Sequence, residues 1–297
     1  MHQSAMDYGR RFFETYLPLV PESKIKVVEI GSLNVNGSLR DVCPVGVDYT
    51  GIDFSEGNGV DIVIDDPYVL PIKDESVDVV VTSSCFEHSE FFWLVFLEIM
   101  RILKPSGLLY MNAPSNGYFH RWPVDCWRFY PDSGHAMVRW AQRNGYSALL
   151  LESFIGEKSS ETIKEGGMWN DFVSVILKNS SEKLFYTNRI LKNLKMFSNA
   201  YSSDHEGILN LDVLGPDLSL IDVLEKELSE SRAELYELQR RFDDVLEKEL
   251  SESRAELYEL QRRFDDVLSS RSWRFTRLFR TLSSYIKKSY PEKFYVK

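Results

Sequence analysis

Short apolar runs rich in β-branched residues recur along the first 178 residues, and polar turns and helix-like stretches separate them. Runs of this length that end at turn residues are typical of strands buried on both faces of a parallel sheet. Residues 5–16, 90–103 and 131–144 instead carry apolar positions at helical spacing. This pattern predicts an α/β fold with a largely parallel, doubly wound sheet. The predicted strands are 26–30, 49–53, 59–65, 77–82, 108–112, 148–154 and 172–177.

The ends of the first two predicted strands carry residues suited to a nucleoside. Gly31 follows the first strand, where a glycine permits a tight turn and lets a ligand approach the backbone. Asp53 ends the second strand, about 20 residues further on, where a carboxylate suits the hydroxyls of a ribose. Glu29, Asp65 and Cys85 fall at the same edge of the predicted sheet. The pattern predicts a nucleoside site, and its alternative is an ordinary strand–turn–strand unit with surface acids.

The glycine spacing disfavours a nucleoside that is bound through phosphates. Bulky Leu33 and Val35 lie between Gly31 and Gly37, whereas a pyrophosphate turn has the pattern G-x-G-x-x-G. The phosphate loop G-x-x-x-x-G-K-S/T does not occur either. A nicotinamide-dependent oxidoreductase is therefore disfavoured. S-adenosylmethionine, a common nucleoside ligand without phosphates, fits the pattern better.

Charge and cysteine content disfavour several other classes of protein. A formal net charge of -10 opposes general binding to nucleic acid, because a phosphate backbone would be repelled. The cysteines Cys43, Cys85 and Cys126 lack C-x-x-C spacing and imply neither a disulfide framework nor a zinc site. The sequence shows no signal-peptide pattern and no apolar run that approaches a membrane span. These features predict a soluble enzyme in a reducing cytoplasm.

Two histidines are candidates for a catalytic base. His88 follows the fourth predicted strand, close to where a sulfonium group would lie, and a pKa near neutrality suits the removal of a proton from a hydroxyl. The alternative for His88 is a structural role at the start of a helix. His120 is the second candidate for the base.

The segment after the fifth predicted strand combines aromatic and charged side chains. Loops at the carboxyl ends of strands often carry function, and this composition resembles a sugar site, where rings stack on apolar sugar faces. The alternative is a packed cover loop with ion pairs such as Asp125 with Arg128. The N-P-P motif of amide and nucleobase N-methyltransferases is missing, so methylation of a nucleobase loses its main support. The predicted acceptor-binding residues are Asn112, His120, Arg121, Trp122, Asp125 and Arg128.

Four segments in order, VVEIGS, YTGID, DDPYVLPIKDESVDVVVTSSCFEH and LKPSGLLYMNAPS, resemble the class I S-adenosylmethionine-dependent methyltransferases of the type 11 group. The resemblance implies a Rossmann-like domain with a seven-stranded sheet over residues 1–178 and S-adenosylmethionine as cofactor. Methyl transfer by in-line attack depends on alignment and requires no metal. The cofactor-binding residues that the resemblance implies are Glu29, Gly31, Ser32, Asp53, Asp65, Asp66 and Cys85.

The resemblance also implies a role for each part of this site. Glu29 and Gly31 would shape the pocket of the methionine part, and Asp53 would hold the ribose. Asp65 or Asp66 would bind the adenine amino group; we favour the Asp65 side chain, because Pro67 has no N–H to offer the ring. The chain departs from the family at 32–34, where Ser-Leu-Asn stands in place of further glycines.

A tandem repeat follows a polar segment, 179–218, which is predicted to be a linker with a short helix near 184–197. Residues 222–243 recur without change as 244–265, a period of 22. Apolar positions in the repeat are spaced by 4, 3, 4, 3, 4 and 4 residues, an average of 3.67. This spacing predicts a nearly straight or slightly right-handed coiled coil over 219–268, and hence a homo-oligomer, most plausibly a parallel dimer or trimer. The alternative is a solvated single helix.

The last segment, 269–297, is basic and amphipathic, with Phe275, Phe279 and Leu282 on one helical face and arginines opposite. Such a helix suits an anionic membrane surface. Residues 270–277, SRSWRFTR, resemble the SxSWRxTxPLR tail of bacterial surface-polysaccharide glycosyltransferases. The leading hypothesis is an enzyme at the inner face of the cell membrane that methylates a sugar hydroxyl during polysaccharide synthesis. The alternative is a degenerate methyltransferase fold that serves as a coiled-coil scaffold in glycan assembly.

Overall fold

The computed structural model describes residues 3–156 and 169–289. The chain divides into two compact units, Met1–Ser219 and Leu220–Lys297, and a central sheet organises the first unit. The strands are β1 (Lys26–Ile30), β2 (Asp48–Asp53), β3 (Ile62–Val63), β4 (Val77–Ser83), β5 (Leu103–Pro114), β6 (Leu149–Gly156), β7 (Asp171–Leu177) and β8 (Phe197–Ser202). In the described residues of this unit, the α-helices that precede the repeat are α1 (Gln3–Tyr16), α2 (Phe92–Ile102) and α3 (Ser133–Arg143).

The strand order is β3-β2-β1-β4-β5-β7-β6-β8. The pairs from β3 to β5 are parallel, and the pairs β5–β7, β7–β6 and β6–β8 are antiparallel. The prediction of a largely parallel α/β sheet is confirmed. The order reverses at β1, because β2 lies on one side of it and β4 on the other. A crevice forms at such a switch point, outside the carboxyl ends of the strands.

The sheet has eight strands in the described residues, so the prediction of seven strands is wrong by one. The additional strand, β8, lies within 179–218, and this segment therefore folds with the sheet instead of forming a linker. Arg189 is 2% exposed, and its guanidinium donates to the carbonyl oxygen of Tyr186. The carboxylate of Glu152 accepts from the backbone amides of Ile190 and Leu191. The short helix predicted near 184–197 is replaced by two 3-10 turns, Ser180–Phe185 and Ile190–Asn193.

The third predicted strand, 59–65, is reduced to the two residues of β3, which pair only with the end of β2. Gly59 has a left-handed backbone with φ +88°. The Asp61 side chain accepts from the backbone amide of Gly51 at 2.7 Å and contacts Arg40. The Asp61 amide also donates to the carbonyl oxygen of Gly51 at 2.9 Å, so Asp61 contacts β2 through both its side chain and its backbone.

Two apolar layers cover the faces of the sheet. Residues alternate along β4, so that Val80 faces one layer while Val79 and Val81 face the other. Helices α2 and α3 contribute Phe96, Ile99 and Met137 among others to the first layer, and α1 contributes Phe12 and Tyr16 to the second. The sheet is therefore buried on both faces, as the continuous apolar strands predict.

The repeat forms one helix, α4 (Gly215–Ser269), followed by α5 (Arg271–Phe275) and α6 (Arg277–Ser289). The long helix is confirmed, and its association with a second helix stays a prediction. Ion pairs between Glu237 and Arg241 and between Glu259 and Arg263 occupy equivalent places in the two repeats. In the described residues, no helix is both long enough and apolar enough to cross a bilayer. Residues 290–297 of the predicted basic tail lie outside the described residues.

Candidate active site

A cavity of about 660 Å³ opens at the carboxyl ends of β1, β2 and β4, where the strand order reverses. Its lining comes from the turn after β1, the end of β2, the segment after β4 and the loop 118–124. It brings together most of the predicted site residues: Glu29, Gly31, Ser32, Asp53, Asp65, Cys85, His88, His120, Arg121 and Trp122. Among the described lining residues, Asp66, Asn112, Asp125 and Arg128 do not occur.

The turn after β1 depends on Gly31, whose φ is +78°. A Cβ atom at this position would lie 2.6 Å from the Sγ of Cys85, so the close approach of the two segments requires a glycine. The amides of Gly31 and Ser32 both donate to the carbonyl oxygen of Ile52, at 3.0 and 3.2 Å. The next amide, that of Leu33, donates to the Oδ2 of Asp53 at 3.1 Å. Because these amides are engaged inside the protein, the turn does not form a cradle for a phosphate.

Asp53 lies at the end of β2, is 8% exposed and lines the cavity. Its Oδ2 accepts from the Leu33 amide, and its Oδ1 accepts from the Ser55 amide at 3.0 Å. Each carboxylate oxygen has two lone pairs. The carboxylate is therefore fixed by the backbone and retains acceptor capacity for ribose hydroxyls.

Glu29 supports the wall of the cavity through contacts with β2 and the following turn. Its Oε2 accepts from the hydroxyl of Tyr49 at 2.8 Å and from that of Ser38 at 3.3 Å. The side chain is 1% exposed, and burial raises the pKa of the Glu29 carboxyl group to about 7. Ser32, beside it, has a buried hydroxyl oxygen without a hydrogen-bond partner in the described residues.

One end of the cavity has an apolar lining suited to a flat ring. Phe54, Ile64 and Tyr68 line it, and the sequence pattern did not predict this role for them. Asp65 lies beside them and is exposed. The Asp66 Oδ1 instead accepts from the backbone amide of Tyr68 at 2.9 Å. Of the two acids predicted to bind adenine, the structure thus places Asp65 in the cavity.

His88 ends a short 3-10 helix, Phe86–His88, that follows β4. Its Nδ1 lies 2.5 Å from the carbonyl oxygen of Val124. Since a carbonyl only accepts, Nδ1 carries the proton, and Nε2 is the basic nitrogen of the neutral ring. Burial lowers the pKa of His88 below its ordinary value. The His88 ring and the His120 ring meet edge to face, with centroids 4.9 Å apart.

Glu87 also lines the cavity, although the sequence analysis did not select it. The side chain is 1% exposed, and burial raises the pKa of its carboxyl group to about 8. Its Oε1 lies 3.8 Å from the Nε2 of His88. Its Oε2 is buried and has no hydrogen-bond partner among the described residues. The sequence does not indicate that Glu87 is buried. It lies a few residues after a strand, a position at which acids are often exposed.

Asp125 and Arg128 hold the cover loop together. The Arg128 guanidinium donates to both carboxylate oxygens of Asp125, at 2.6 and 2.8 Å, and these bonds lower the pKa of Asp125 to about 2. It also donates to the carbonyl oxygen of Tyr118 at 2.9 Å. The contacts match the alternative interpretation of this segment, a packed loop with ion pairs. Asn112, the other predicted acceptor-binding residue outside the lining, is buried on β5.

Aromatic rings form a further part of the cavity lining, which we call the aromatic wall. The Trp169 ring lies 4.9 Å from the Tyr118 ring and 4.7 Å from the His120 ring, measured between centroids. Trp122 is 58% exposed, and Arg121 is exposed beside it. This wall offers apolar ring faces together with histidine and arginine donors.

The residues present fit S-adenosylmethionine. The cavity volume lies in the range of roughly 300–1,000 Å³ typical of small-molecule sites. The fixed Asp53 carboxylate suits a ribose, the apolar end suits adenine, and the internally bonded amides leave no phosphate cradle. When bound, the cofactor supplies an electrophilic methyl group.

Residues 30–111 match the family described as a methyltransferase domain. Similar solved structures include a 1,6-didemethyltoxoflavin N1-methyltransferase from Burkholderia thailandensis. Its sequence is 13% identical, the match covers 60% of this chain and 80% of that one, and the TM-score is 0.46. A putative sarcosine dimethylglycine methyltransferase from Galdieria sulphuraria has 14% identity, 60% and 92% coverage and a TM-score of 0.40. The cyclase SpnF has 14% identity, 60% and 82% coverage and a TM-score of 0.44.

The TM-scores and identities of these solved structures are too low to indicate an activity for this chain. A comparison with curated proteins finds no match. The assignment rests on the matched domain together with the cavity at its strand ends. The chain is a methyltransferase enzyme, and S-adenosylmethionine is its cofactor.

Proposed function

We propose that the enzyme transfers the methyl group to a hydroxyl of a sugar during the synthesis of a bacterial surface polysaccharide. The observation that carries this proposal is the aromatic wall of Tyr118, Trp122 and Trp169, which lines the same cavity as Asp53 and Gly31. The C–H faces of a sugar are apolar and flat enough to stack on such rings, while its hydroxyls need polar partners. His88, His120 and Arg121 supply those partners beside the rings.

The charge of the cavity favours a neutral acceptor. A carboxylate-rich lining attracts the cationic cofactor and repels a phosphorylated or acidic sugar. In the described lining, the basic side chains are Arg121 and the two histidines, His88 and His120. The acids that line the cavity are Glu29, Asp53, Asp65, Glu87, Glu90 and Asp171. Glu87 adds little negative charge at neutral pH, because burial raises its pKa to about 8.

Each residue has a defined task in this proposal. Asp53 and Asp65 hold the ribose and adenine and so align the methyl group for in-line attack, which supplies much of the rate. The aromatic wall orients the sugar ring. His88 takes the proton of the attacking hydroxyl at Nε2, the nitrogen left basic by the bond from Nδ1 to Val124, and His120 is the second candidate.

The carboxyl-terminal helices support a setting at a membrane surface. The resemblance of 270–277 to glycosyltransferase tails favours polysaccharide synthesis, and the repeat in α4 favours assembly into a homo-oligomer. Comparing the glycans of cells with and without the gene by mass spectrometry tests the acceptor directly: loss of one O-methyl sugar supports this proposal, and unchanged glycan methylation means that the enzyme acts on another acceptor.

Removal of the Asp53 carboxylate tests the cofactor site. We expect Asp53→Ala to weaken S-adenosylmethionine binding more than tenfold in calorimetry, because lost hydrogen bonds to buried groups cost about 1–3 kcal/mol. Asp48→Ala, at the opposite end of β2, is the matched control and should bind as the wild type does. Unchanged affinity in a folded Asp53→Ala protein would contradict the placement of the ribose.

Replacement of the two histidines tests the acceptor side. We expect His88→Ala to lower turnover by roughly 10²–10⁴ with little change in cofactor affinity, which is the usual size of a lost general base. His120→Ala should have this effect if His120 is the base. His205→Gln, at an exposed position of a loop, is the control. Near-normal rates for both variants across pH would mean that alignment alone drives the transfer.

A further inference from the structure

We propose that Glu87, His88 and His120 form a binding site for one divalent transition-metal ion, of the class that includes Zn²⁺ and Co²⁺. One ligand atom from each of the three residues lies within 4.8 Å of those of the other two. All three residues line the cavity at the acceptor end. The inference extends the proposed function, because it gives this cluster a role in holding the acceptor hydroxyl.

The tautomer of His88 is the first observation that supports a metal ligand. Its Nδ1–H donates to the carbonyl oxygen of Val124, so the lone pair of Nε2 is available. Metal-binding histidines typically donate their other ring N–H to a carbonyl or a carboxylate, which fixes the ring and its tautomer. The Nε2 of His88 lies 3.8 Å from the Oε1 of Glu87, a separation that an ion between them can bridge.

His120 shows the same arrangement independently. Its Nδ1 lies 3.4 Å from the Oδ2 of Asp125 and 3.4 Å from the carbonyl oxygen of Tyr118. Both neighbours are acceptors, so Nδ1 carries the proton and Nε2 is again the available nitrogen. Asp125 is itself fixed by two bonds from Arg128. A fixed carboxylate behind a histidine is the outer support that metal sites commonly have.

Glu87 supplies the third observation. Its side chain is 1% exposed, and its Oε2 has no hydrogen-bond partner in the described residues. A buried polar atom without a partner is costly and calls for one. A cation held by the two histidines and bound through both oxygens of the Glu87 carboxylate would provide that partner.

The composition of the cluster decides the kind of ion. Two imidazole nitrogens and one carboxylate suit Zn²⁺, Fe²⁺ or Co²⁺ better than Mg²⁺ or Ca²⁺, which prefer oxygen ligands. Three protein ligands leave a position open, as catalytic sites do. Because the cluster lines the cavity, that position faces the acceptor, whose hydroxyl would become more acidic on the ion. With the ion bound, His88 would act as a ligand, and the proton of the hydroxyl would pass to solvent water instead of to His88.

Co²⁺ absorption tests this site on the full chain without cofactor or acceptor. After treatment with a chelator, we expect one equivalent of Co²⁺ to bind and give visible bands that one equivalent of Zn²⁺ abolishes. Glu87→Gln, His88→Ala and His120→Ala should each weaken binding at least tenfold. Glu90→Gln, at an exposed acid of the same cavity, and His205→Gln are matched controls that should bind as the wild type does. Thermal melts identify any variant that fails to fold.

Three results would overturn the proposal. The first is weak or non-stoichiometric Co²⁺ binding to the wild-type chain. The second is binding that survives the isosteric Glu87→Gln change and both histidine changes, and the third concerns Cys85. Intense near-ultraviolet bands that disappear in Cys85→Ser would assign the ion to the cavity thiol instead, and would also refute the site. A chain that binds S-adenosylmethionine but no Co²⁺ refutes the metal site alone, whereas failure to bind S-adenosylmethionine counts against the proposed function.

Discussion

The carboxyl group of Glu29 is buried in the wall of the cofactor cavity. Because its pKa differs between the folded and unfolded states, the free energy of unfolding depends on pH. Burial raises its pKa from 4.5 to about 7. The folded state therefore holds this proton more tightly than the unfolded state. The resulting stabilisation is fully present below about pH 4.5 and is lost as the pH rises to about 7.

The change Glu29→Gln should remove this dependence on pH. A shift of this size corresponds to about 3 kcal/mol between pH 4.5 and 7. Gln keeps an oxygen that accepts from the hydroxyls of Tyr49 and Ser38, so the fold should persist. Urea unfolding at several pH values measures the effect, with Glu14→Gln, an exposed glutamate of α1, as control. An equal slope in Glu29→Gln and the wild type would show that Glu29 does not titrate in this range.

At the residue scale, the sequence was informative where a role follows from position at a strand end. Gly31 and Asp53 could be identified because a parallel sheet gathers its strand ends. Glu87 could not, since its burial depends on the cover loop: the amides of Cys126 and Trp127 donate to its carbonyl oxygen from a distant part of the chain. Asp125 and Arg128 had two open interpretations, and only the contacts between them distinguish these.

At the element scale, the turn after β1 is the part of the cavity with the least room for change. Gly31 has φ +78°, and a Cβ atom there would lie 2.6 Å from the Sγ and 2.7 Å from the Cβ of Cys85. Gly46 has φ +90° but no heavy atom within 4 Å of its Cβ position. Replacing Gly46 by alanine therefore tests backbone strain alone, whereas replacing Gly31 tests backbone strain together with steric overlap.

We expect Gly46→Ala to cost about 1–2 kcal/mol of folding free energy, the usual cost of a left-handed backbone for a residue with a Cβ atom. Gly31→Ala should cost a further amount of about 1–3 kcal/mol, because overpacking displaces Cys85. The affinity of the Gly31→Ala variant for the cofactor should fall as well, since Gly31 and Cys85 both line the cavity. Urea unfolding and calorimetry measure the two effects. Equal stability of the two variants would mean that the turn accommodates the methyl group.

The sheet shows why some elements are predictable and others are not. β4, VDVVVTS, is recognisable because it is buried along its whole length and contains four valines. The sequence of β8, FSNAYS, is mostly polar, and it becomes a strand through its pairing with β6. β3 keeps only two residues in the ladder, and beside it the Asp61 side chain accepts the hydrogen bond of the Gly51 amide. Local pattern thus predicts the centre of this sheet better than its edges.

At the scale of the whole molecule, α4 presents an apolar seam that is exposed in a single chain. The helix is about 80 Å long at 1.5 Å per residue. The apolar seam residues from Leu224 to Phe264 are more than half exposed, among them Leu235 and Phe242 at 64% and 65% and their repeat equivalents Leu257 and Phe264 at 65% and 62%. Ser231 and Ser253 interrupt the seam at equivalent places. A helix of this kind gains stability when a second copy covers the seam.

We expect the full chain to form a dimer or trimer in light scattering. The double variant Leu235→Glu and Leu257→Glu should be a monomer, because association would bury the new charges in the seam. Glu at both Tyr236 and Tyr258, exposed positions one residue away from the seam, is the matched control and should leave the assembly intact.

Parallel assembly through α4 would gather several copies of α5 and α6 at one end. Phe275, Phe279 and Leu282 are exposed on these helices, beside arginines that suit anionic headgroups. One copy binds a surface weakly, whereas tethered copies raise the effective concentration. The full chain should therefore float with anionic liposomes at low salt, but not with neutral ones or at high salt, and truncation after Leu268 should abolish binding. A monomeric wild-type chain, or liposome binding that survives the truncation, would contradict this arrangement.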